Sequence, residues 1–359
     1  MRFTDKLQYL RYLVDKRGMQ PVYLILGLTY DCNSFCRTCF NWEQLRKNKE
    51  HELSLDEIRK TFASLGDLLF IVMSGGEPFL RRDLPDVCEF LSTHNHVKQI
   101  TIPTGAVATD LIARSVEATL QRCPSTQIAV NISIDHIGEK HDWIRGVPGN
   151  YEKAKATYAR LIDLRNRYDN LTVNVHTCLC TYNADDLDEL FAGVRRDFPA
   201  ISFHSFEMMR GDQPDKSIQP IDTARYRELL PKLEEYWSTY THYDSFLRFV
   251  KTYTRRMELS VLEQETQVRP CHAGTVSGVV DARGEVRMCE LRDAVGNVRD
   301  TNYDFGKLWF SPEADRQRGS IKAKECHCTH SCFMASSLVF DWRTWGAYFA
   351  STVVNFLAA

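Results

Sequence analysis

Between Val22 and Met208 the chain repeats one unit six times, a short apolar run followed by a stretch with helical spacing. The runs fall at Val22–Thr29, Phe70–Met73, Val97–Thr104, Ile128–Asp135, Leu171–Cys180 and Ile201–Met208. Ser54-Leu55-Asp56-Glu57 has the form of a capping box and starts the helix after the first run. Six strand–helix repeats with short connections predict an α/β fold, a parallel sheet curled into a partial (β/α)6 barrel. Alternation then sorts the faces. In the fourth run Ile128, Val130, Ile132 and Ile134 face the helices, so Ala129, Asn131, Ser133 and Asp135 face the lumen. In the fifth, Val173, Val175 and Leu179 point outward and Asn174, His176 and Cys178 inward. Polar residues near the C-terminal ends of barrel strands line sites, unless water or helix caps satisfy them as a structural layer.

The loop after the first run holds Cys32, Cys36 and Cys39, a C-x3-C-x2-C spacing that gathers three thiolates. A structural zinc or four-iron site normally has four protein ligands. Three leave one iron of a cubane cluster open to substrate or cofactor, with a zinc knuckle or a chance cluster as the alternative. The second run leads into Ser74-Gly75-Gly76-Glu77-Pro78. A glycine pair at a strand end lets the backbone approach a ligand closely, and Glu77 offers a carboxylate to a cationic group. The chain has 359 residues, room for a large domain plus a smaller one. Its formal charge of −2 gives no electrostatic argument for nucleic acid. The segment from Met1 is charged and amphipathic, read as a helix over residues 1–20, and has no continuous apolar core of a secretory signal. Twelve cysteines without such a signal point to metal sites in a reducing cytoplasm.

Together, the C-x3-C-x2-C loop and the Gly75-Gly76-Glu77-Pro78 strand end resemble the radical S-adenosylmethionine (SAM) superfamily. The resemblance implies that Cys32, Cys36 and Cys39 hold a [4Fe–4S] cluster whose fourth iron is chelated by SAM. It implies that the Gly75–Pro78 strand end meets the methionine amine. Thr38 departs from the family, which often has an aromatic residue before the last cysteine; Phe35 and Phe40 lie nearby. Ser133 and Asp135 are candidates for the SAM ribose or carboxylate, with Asn174 and His176 behind them. His141-Asp142-Trp143-Ile144-Arg145-Gly146 looks like a segment of radical SAM enzymes that carry extra clusters. Arg145 is there for the SAM carboxylate, or the loop caps the next helix. Glu207, at the end of the sixth run, is a candidate catalytic residue or a surface carboxylate.

Residues 211–268 read as a Gly-, Pro- and Asp-rich linker followed by helices. Residues 269–335 change character. Cys271 and Cys289 flank a predicted hairpin turning at Ala282-Arg283-Gly284, and Cys326, Cys328 and Cys332 follow. This arrangement resembles the SPASM and twitch extensions of radical SAM enzymes, and five cysteines match the shorter twitch-like form with one auxiliary [4Fe–4S] cluster. Cys271 and Cys289 are expected ligands with Cys332, while Cys326 and Cys328 compete for the fourth place. Zinc is the alternative, with His327 and His330 among the thiols. Cys88, Cys123, Cys178 and Cys180 lack ligand spacing and read as small buried hydrophobes. The aromatic tail, 336–359, is expected to pack on the barrel or a second subunit, with a membrane surface as the alternative.

The expected function is reductive cleavage of SAM to a 5′-deoxyadenosyl radical that takes hydrogen from a substrate. A reductant such as flavodoxin or ferredoxin is implied, and an auxiliary cluster would aid oxidation or bind substrate. The substrate is a small molecule, sugar, peptide or lipid. The rival classes are an iron–sulfur electron-transfer protein and a zinc-stabilised binding protein.

Overall fold

The computed structural model describes residues 18–46 and 51–357. The helix expected over 1–20 lies, up to Arg17, outside them. Strands β1 (Tyr23–Thr29), β2 (Phe70–Gly75), β3 (Gln99–Thr104), β4 (Gln127–Ser133), β5 (Leu171–Leu179) and β6 (His204–Met208) lie side by side in chain order. All are parallel. The crossovers carry α1 (Leu55–Ala63), α2 (Leu84–His94), α3 (Thr109–Arg122), α4 (Gly138–Arg145), α5 (Asn150–Arg165) and α6 (Leu187–Asp197). The capping box is formed as expected, with Ser54 accepting from the Glu57 amide and Glu57 from the Ser54 amide. Strands β3 and β6 start later than expected because turn hydrogen bonds claim the preceding residues. The Val97 amide donates to Leu91 O and the Ile201 amide to Phe198 O.

The cysteine-rich segment does not build a sheet of its own. Strand β7 (Ser277–Val280) joins the free edge of β1 in parallel, Tyr23 opposite Ser277, and β8 (Glu285–Arg287) and β9 (Ala294–Asn297) follow antiparallel. The result is one nine-stranded sheet, β6-β5-β4-β3-β2-β1-β7-β8-β9. Its hydrophobic core is shared as well, with Val279, Val286, Met288 and Trp309 in the same cluster as Leu24 and Ile71. The predicted β7–β8 hairpin is present, turning through Gly284 at φ 89°.

The helical stretch before it splits in two, α7 (Thr223–Ser238) and α8 (Ser245–Gln264), the second capped by Asp244 accepting from the Leu247 amide. Beyond the hairpin come α9 (Phe305–Trp309), α10 (Pro312–Lys322), α11 (Ser331–Val339) and α12 (Trp342–Leu357). Helices α8 and α11 close one side of the lumen, around a cavity of about 250 Å3 lined by Asn131, Asn174, His176, Glu207, Lys251 and Cys332. The aromatic tail packs on α8. Trp345 stacks on Phe246 at 3.9 Å and the Tyr348 hydroxyl meets Ser245 Oγ at 2.7 Å. Among the described residues no helix is long and apolar enough to cross a membrane.

A buried ion pair ties these helices together. Arg255 donates to both carboxylate oxygens of Glu258 at 2.7 Å and to Ser331 Oγ at 2.8 Å, and the Tyr226 hydroxyl donates to Glu258 at 2.7 Å. Glu258 is fully buried, so its removal leaves Arg255 without its hydrogen-bonded counter-charge in the interior. Glu258→Ala should lower the unfolding free energy by about 3–5 kcal/mol in chemical denaturation. A loss under about 1 kcal/mol, the surface-pair range, would show that water reaches this pair.

Candidate active site

The cysteine loop is pinned on two sides. On one side the β2 strand end hooks onto it: the Gly76 amide donates to Thr29 O and the Glu77 amide to Asp31 O, both at 2.7 Å. The approach needs glycine. A Cβ at Gly75, where φ is 107°, would lie 2.2 Å from Thr29 O, and one at Gly76 would lie 2.0 Å from Asp31 O. On the other side the loop is hydrogen-bonded to the end of α4, from the Phe35 amide to Arg145 O at 3.1 Å and the Arg37 amide to Ile144 O at 2.9 Å. Gly146, at φ 65°, ends α4 there; a Cβ would lie 2.4 Å from Phe35 O. Burial pushes the Cys32 thiol up to about 11 and the Cys39 thiol up to about 12, and the three sulfurs act on one another electrostatically. A bound metal reverses that preference, since it deprotonates its thiol ligands outright. Two polar atoms beside the loop, Ser34 Oγ and Arg145 Nε, are buried without a hydrogen-bond partner among the described residues. Three converging thiols, a glycine cradle and these orphaned atoms fit a three-cysteine cluster with a ligand on its open iron.

Glu77 is 3% exposed and its carboxylate is engaged by the chain itself. Oε2 accepts from Thr104 Oγ1 at 2.9 Å and the Gly105 amide at 2.8 Å; Oε1 accepts from the Phe79 amide at 3.4 Å. Burial raises its pKa, opposed by these donors. Asp135 likewise accepts from Arg145 Nη1 at 3.1 Å and from the Cys178 amide at 2.8 Å. Burial works against charge on Arg145, but Cys36 and Asp135 beside it hold its pKa above the ordinary value. Arg145 thus stands between the cysteine loop and the end of β4. The helix-capping task expected of the same segment falls to Asp142, which accepts from the Gly149 and Tyr151 amides at 2.6 and 2.7 Å.

The lumen faces follow the alternation. Asn174 donates to Asn131 Oδ1 at 3.0 Å, and His176 Nδ1 pairs with Ser205 Oγ at 2.9 Å. Ser133 lies opposite His176 in register. Asn174 Oδ1 has no hydrogen-bond partner among the described residues. Glu207 is no surface carboxylate. It faces the cavity with His176 Nε2 3.6 Å away and is paired with Arg210, which also reaches Glu290 at 3.2 Å and lies over the Phe40 ring. Burial would raise the Glu207 pKa, but Arg210 and His176 hold it below the usual carboxylate range.

The C-terminal cysteines divide. Cys271, Cys289, Cys326 and Cys328 line one pocket of about 260 Å3, with Gln267 donating to Cys326 O at 2.8 Å. Cys332, expected among the same ligands, lines the lumen cavity instead. It is the second residue of α11, and the helix turns its sulfur toward Tyr23, Glu207 and Arg210. Cys326 and Cys328, read as competitors, both face the four-cysteine pocket. His327 lines it too, whereas His330 points away toward Glu290. All twelve cysteines are free of disulfides. Cys88, Cys123 and Cys180 are buried as expected, while Cys178 is half-buried at the lumen end of β5.

Residues 26–192 match the radical SAM superfamily. This stretch is a radical SAM domain. It runs from β1 into α6 and contains Cys32, Cys36, Cys39, the Gly75–Pro78 turn, Asp135 and Arg145. The chain is similar to the AdoMet-dependent heme synthase of Oleidesulfovibrio alaskensis, 25% identical over 320 residues, covering 84% of this chain and 78% of that protein. The AdoMet-dependent heme synthase of Methanosarcina barkeri is 24% identical over 313 residues, covering 83% and 84%. Native anSMEcpe with bound AdoMet and Cp18Cys peptide superposes with a TM-score of 0.58 at 13% identity, over 94% of this chain and 98% of that one. SuiB of Streptococcus suis bound to precursor peptide SuiA gives 0.57 at 16% identity, over 88% and 71%. At such identities the structures speak for the fold.

Sequence reasoning missed the layer that holds the radical SAM domain's strand ends in place. His141 Nδ1 accepts from the Asp135 amide at 3.2 Å, so the neutral ring carries its proton on Nε2, which donates to Asn150 Oδ1 at 3.2 Å. Asn150 Nδ2 then donates to Gly105 O at 2.9 Å, beside Glu77. The His141-Asp142 motif was legible; the long-range partners were not. Burial, with Arg145 close by, lowers the His141 pKa to about 4. An unfolded histidine titrates near 6.5, so this contribution to stability is intact above that pH and is lost as pH falls toward about 4. The shift corresponds to about 3 kcal/mol. His141→Gln should flatten the stability-versus-pH curve between pH 6.5 and 4 in urea titrations, and an unchanged slope would show the ring protonates freely in the fold.

Proposed function

We propose that this protein is a radical SAM enzyme with one auxiliary [4Fe–4S] cluster. The observation that carries the reading is the meeting of the Cys32–Cys39 loop, the Gly75-Gly76-Glu77 strand end and Arg145 around one mouth of the sheet. In this reading Cys32, Cys36 and Cys39 hold the first cluster. When bound, the cluster and SAM supply the electron and the 5′-deoxyadenosyl radical that removes hydrogen from substrate. Glu77 fixes the strand end so that backbone carbonyls face the SAM amine, while Arg145, oriented by Asp135, receives the SAM carboxylate. Ser133, Asn174 and His176 line the way into the lumen, and α8 and α11 keep bulk water from its far side. Residues 269–335 act as a SPASM/twitch-like region in which Cys271, Cys289, Cys326 and Cys328 hold the auxiliary cluster, which aids oxidation or binds substrate.

The relatives' names and the peptide-bound neighbours make a tetrapyrrole and a peptide the first substrates to assay, ahead of sugars and lipids. A low-potential donor such as flavodoxin or ferredoxin, in a reducing cytoplasm, suits twelve free thiols.

Replacing Cys32, Cys36 and Cys39 together with Ala should abolish 5′-deoxyadenosine formation and remove about half the iron. Undiminished 5′-deoxyadenosine would refute the assignment. Replacing Cys271 and Cys289 with Ala should remove about half the iron as well, four per cubane. Uncoupled SAM cleavage should survive there while substrate conversion is lost, and full iron content in that variant would remove the auxiliary cluster from the proposal.

A further inference from the structure

We propose that Glu207, His330 and Cys332 form a site for a divalent first-row cation, Zn2+ by preference, distinct from both cysteine groups. One ligand atom from each of the three, a carboxylate oxygen, an imidazole nitrogen and the thiol sulfur, lies within 4.8 Å of the others. They come from rigid elements: Glu207 from β6, His330 from the N-cap of α11 and Cys332 from its first turn.

The histidine gives the decisive geometry. His330 is completely buried, and its Nε2 lies 2.6 Å from Glu290 Oε2, a hydrogen bond that puts the ring proton on Nε2. Nδ1 is then a bare lone pair, and it has no hydrogen-bond partner among the described residues. It points at another acceptor, Glu207 Oε1, 3.8 Å away. Were Nδ1 protonated instead, that distance would still be too long for a hydrogen bond. Glu207 Oε1 is paired with Arg210, whereas Nδ1 has no partner among the described residues, and a cation shared by the carboxylate, Nδ1 and the thiol supplies one. Glu290 supplies the outer carboxylate that commonly orients a metal-binding histidine. The Tyr23 hydroxyl hydrogen-bonds Cys332, as an outer donor to a ligating thiolate does.

The donor set selects the metal. One thiolate, one imidazole and one carboxylate suit Zn2+, and Mg2+ or Ca2+ would want oxygen alone. Arg210, paired with Glu207 and Glu290 and with its Nη2 3.5 Å from His330 Nε2, offsets part of the surrounding negative charge and leaves Nδ1 without a partner among the described residues. Three protein ligands leave a tetrahedral ion one position short. Glu207 and Cys332 both line the lumen cavity, so the open position faces a space where an exogenous oxygen ligand can bind.

The test uses the full-length, cluster-loaded protein purified without oxygen, given Zn2+ or Co2+ and then desalted. Wild type should retain about one added cation per chain beyond its cluster iron, and the cobalt form should show a thiolate-to-cobalt charge-transfer band in the near ultraviolet. Cys332→Ser should lose that band with its iron content unchanged, His330→Gln should lose the cation, and Glu290→Gln should weaken binding about 10–100-fold. Wild type that retains no added cation overturns the proposal, and that result needs no variant to fold. So does a band that survives Cys332→Ser. Loss of about half the iron in Cys332→Ser would assign the sulfur to the auxiliary cluster and overturn it too. The variant with Cys32, Cys36 and Cys39 replaced by Ala should still bind the cation, so failure of the SAM reading and failure of this site give different results.

Discussion

The backbone contact between the end of β2 and the cysteine loop is the constraint on which the rest of the structure depends. Two strand ends meet where Thr29 O and Asp31 O each accept an amide from the Gly75–Glu77 turn, at separations only glycine permits. The contact needs no side chain, so side chains are left free around it. Glu77 turns inward to hold the start of the next crossover, and the three thiols share one loop close enough to act on one another electrostatically. A methyl group at either glycine would push the loop off the strand by more than an ångström and scatter the sulfurs. The requirement is steric before it is chemical.

Around this contact the interior carries several charges, arranged in closed sets. Arg145 is matched by Asp135, Arg255 by Glu258, and Arg210 by Glu207 and Glu290. Each is wholly or mostly buried, so each gains geometry more than stability, because desolvation consumes much of the Coulomb attraction. Lys251 is the exception. It faces the lumen beneath the Phe203 ring with its pKa pulled down to about 8 by burial and by Arg255. The lumen therefore holds a cation whose charge is easily neutralised, beside the acceptors of Glu207 and Cys332.

The parts legible in sequence are those set by short-range pattern. Strand order, lumen-facing residues such as Asn131 and Asn174, the Ser54–Glu57 box and the β7–β8 hairpin all follow from period-two alternation, capping chemistry or turn residues. What was not legible depends on distant partners. The sequence placed Glu207 at the end of the sixth run with a surface position still open; its place in the lumen beside His330 and Cys332 comes from helix α11, more than a hundred residues on. Cys332 shows the same limit. Its spacing from Cys328 suggests a shared cluster, yet the helix that starts at Ser331 rotates its sulfur to the opposite side of the chain. Spacing predicts ligands only while the chain between them is free to fold around a common point.

The continuity of the sheet gives the two cysteine groups a fixed relation. Because β7 pairs with β1 over Tyr23–Leu26, the hairpin bearing Cys289 is held by the same hydrogen-bond ladder that ends in the Cys32 loop. A Cβ at Gly27 would lie 2.8 Å from the Ala282 amide nitrogen, so β1 and the hairpin turn are in close contact at this point. A flexible linker would let the two sites drift, whereas a shared β-ladder sets their separation by strand geometry. Arg210 completes the connection: it lies over Phe40, next to Cys39, and reaches Glu290, next to Cys289. One guanidinium thus touches a neighbour in sequence of each cysteine group, so the loop after β1 and the end of the hairpin are tied by a side chain as well as by the sheet.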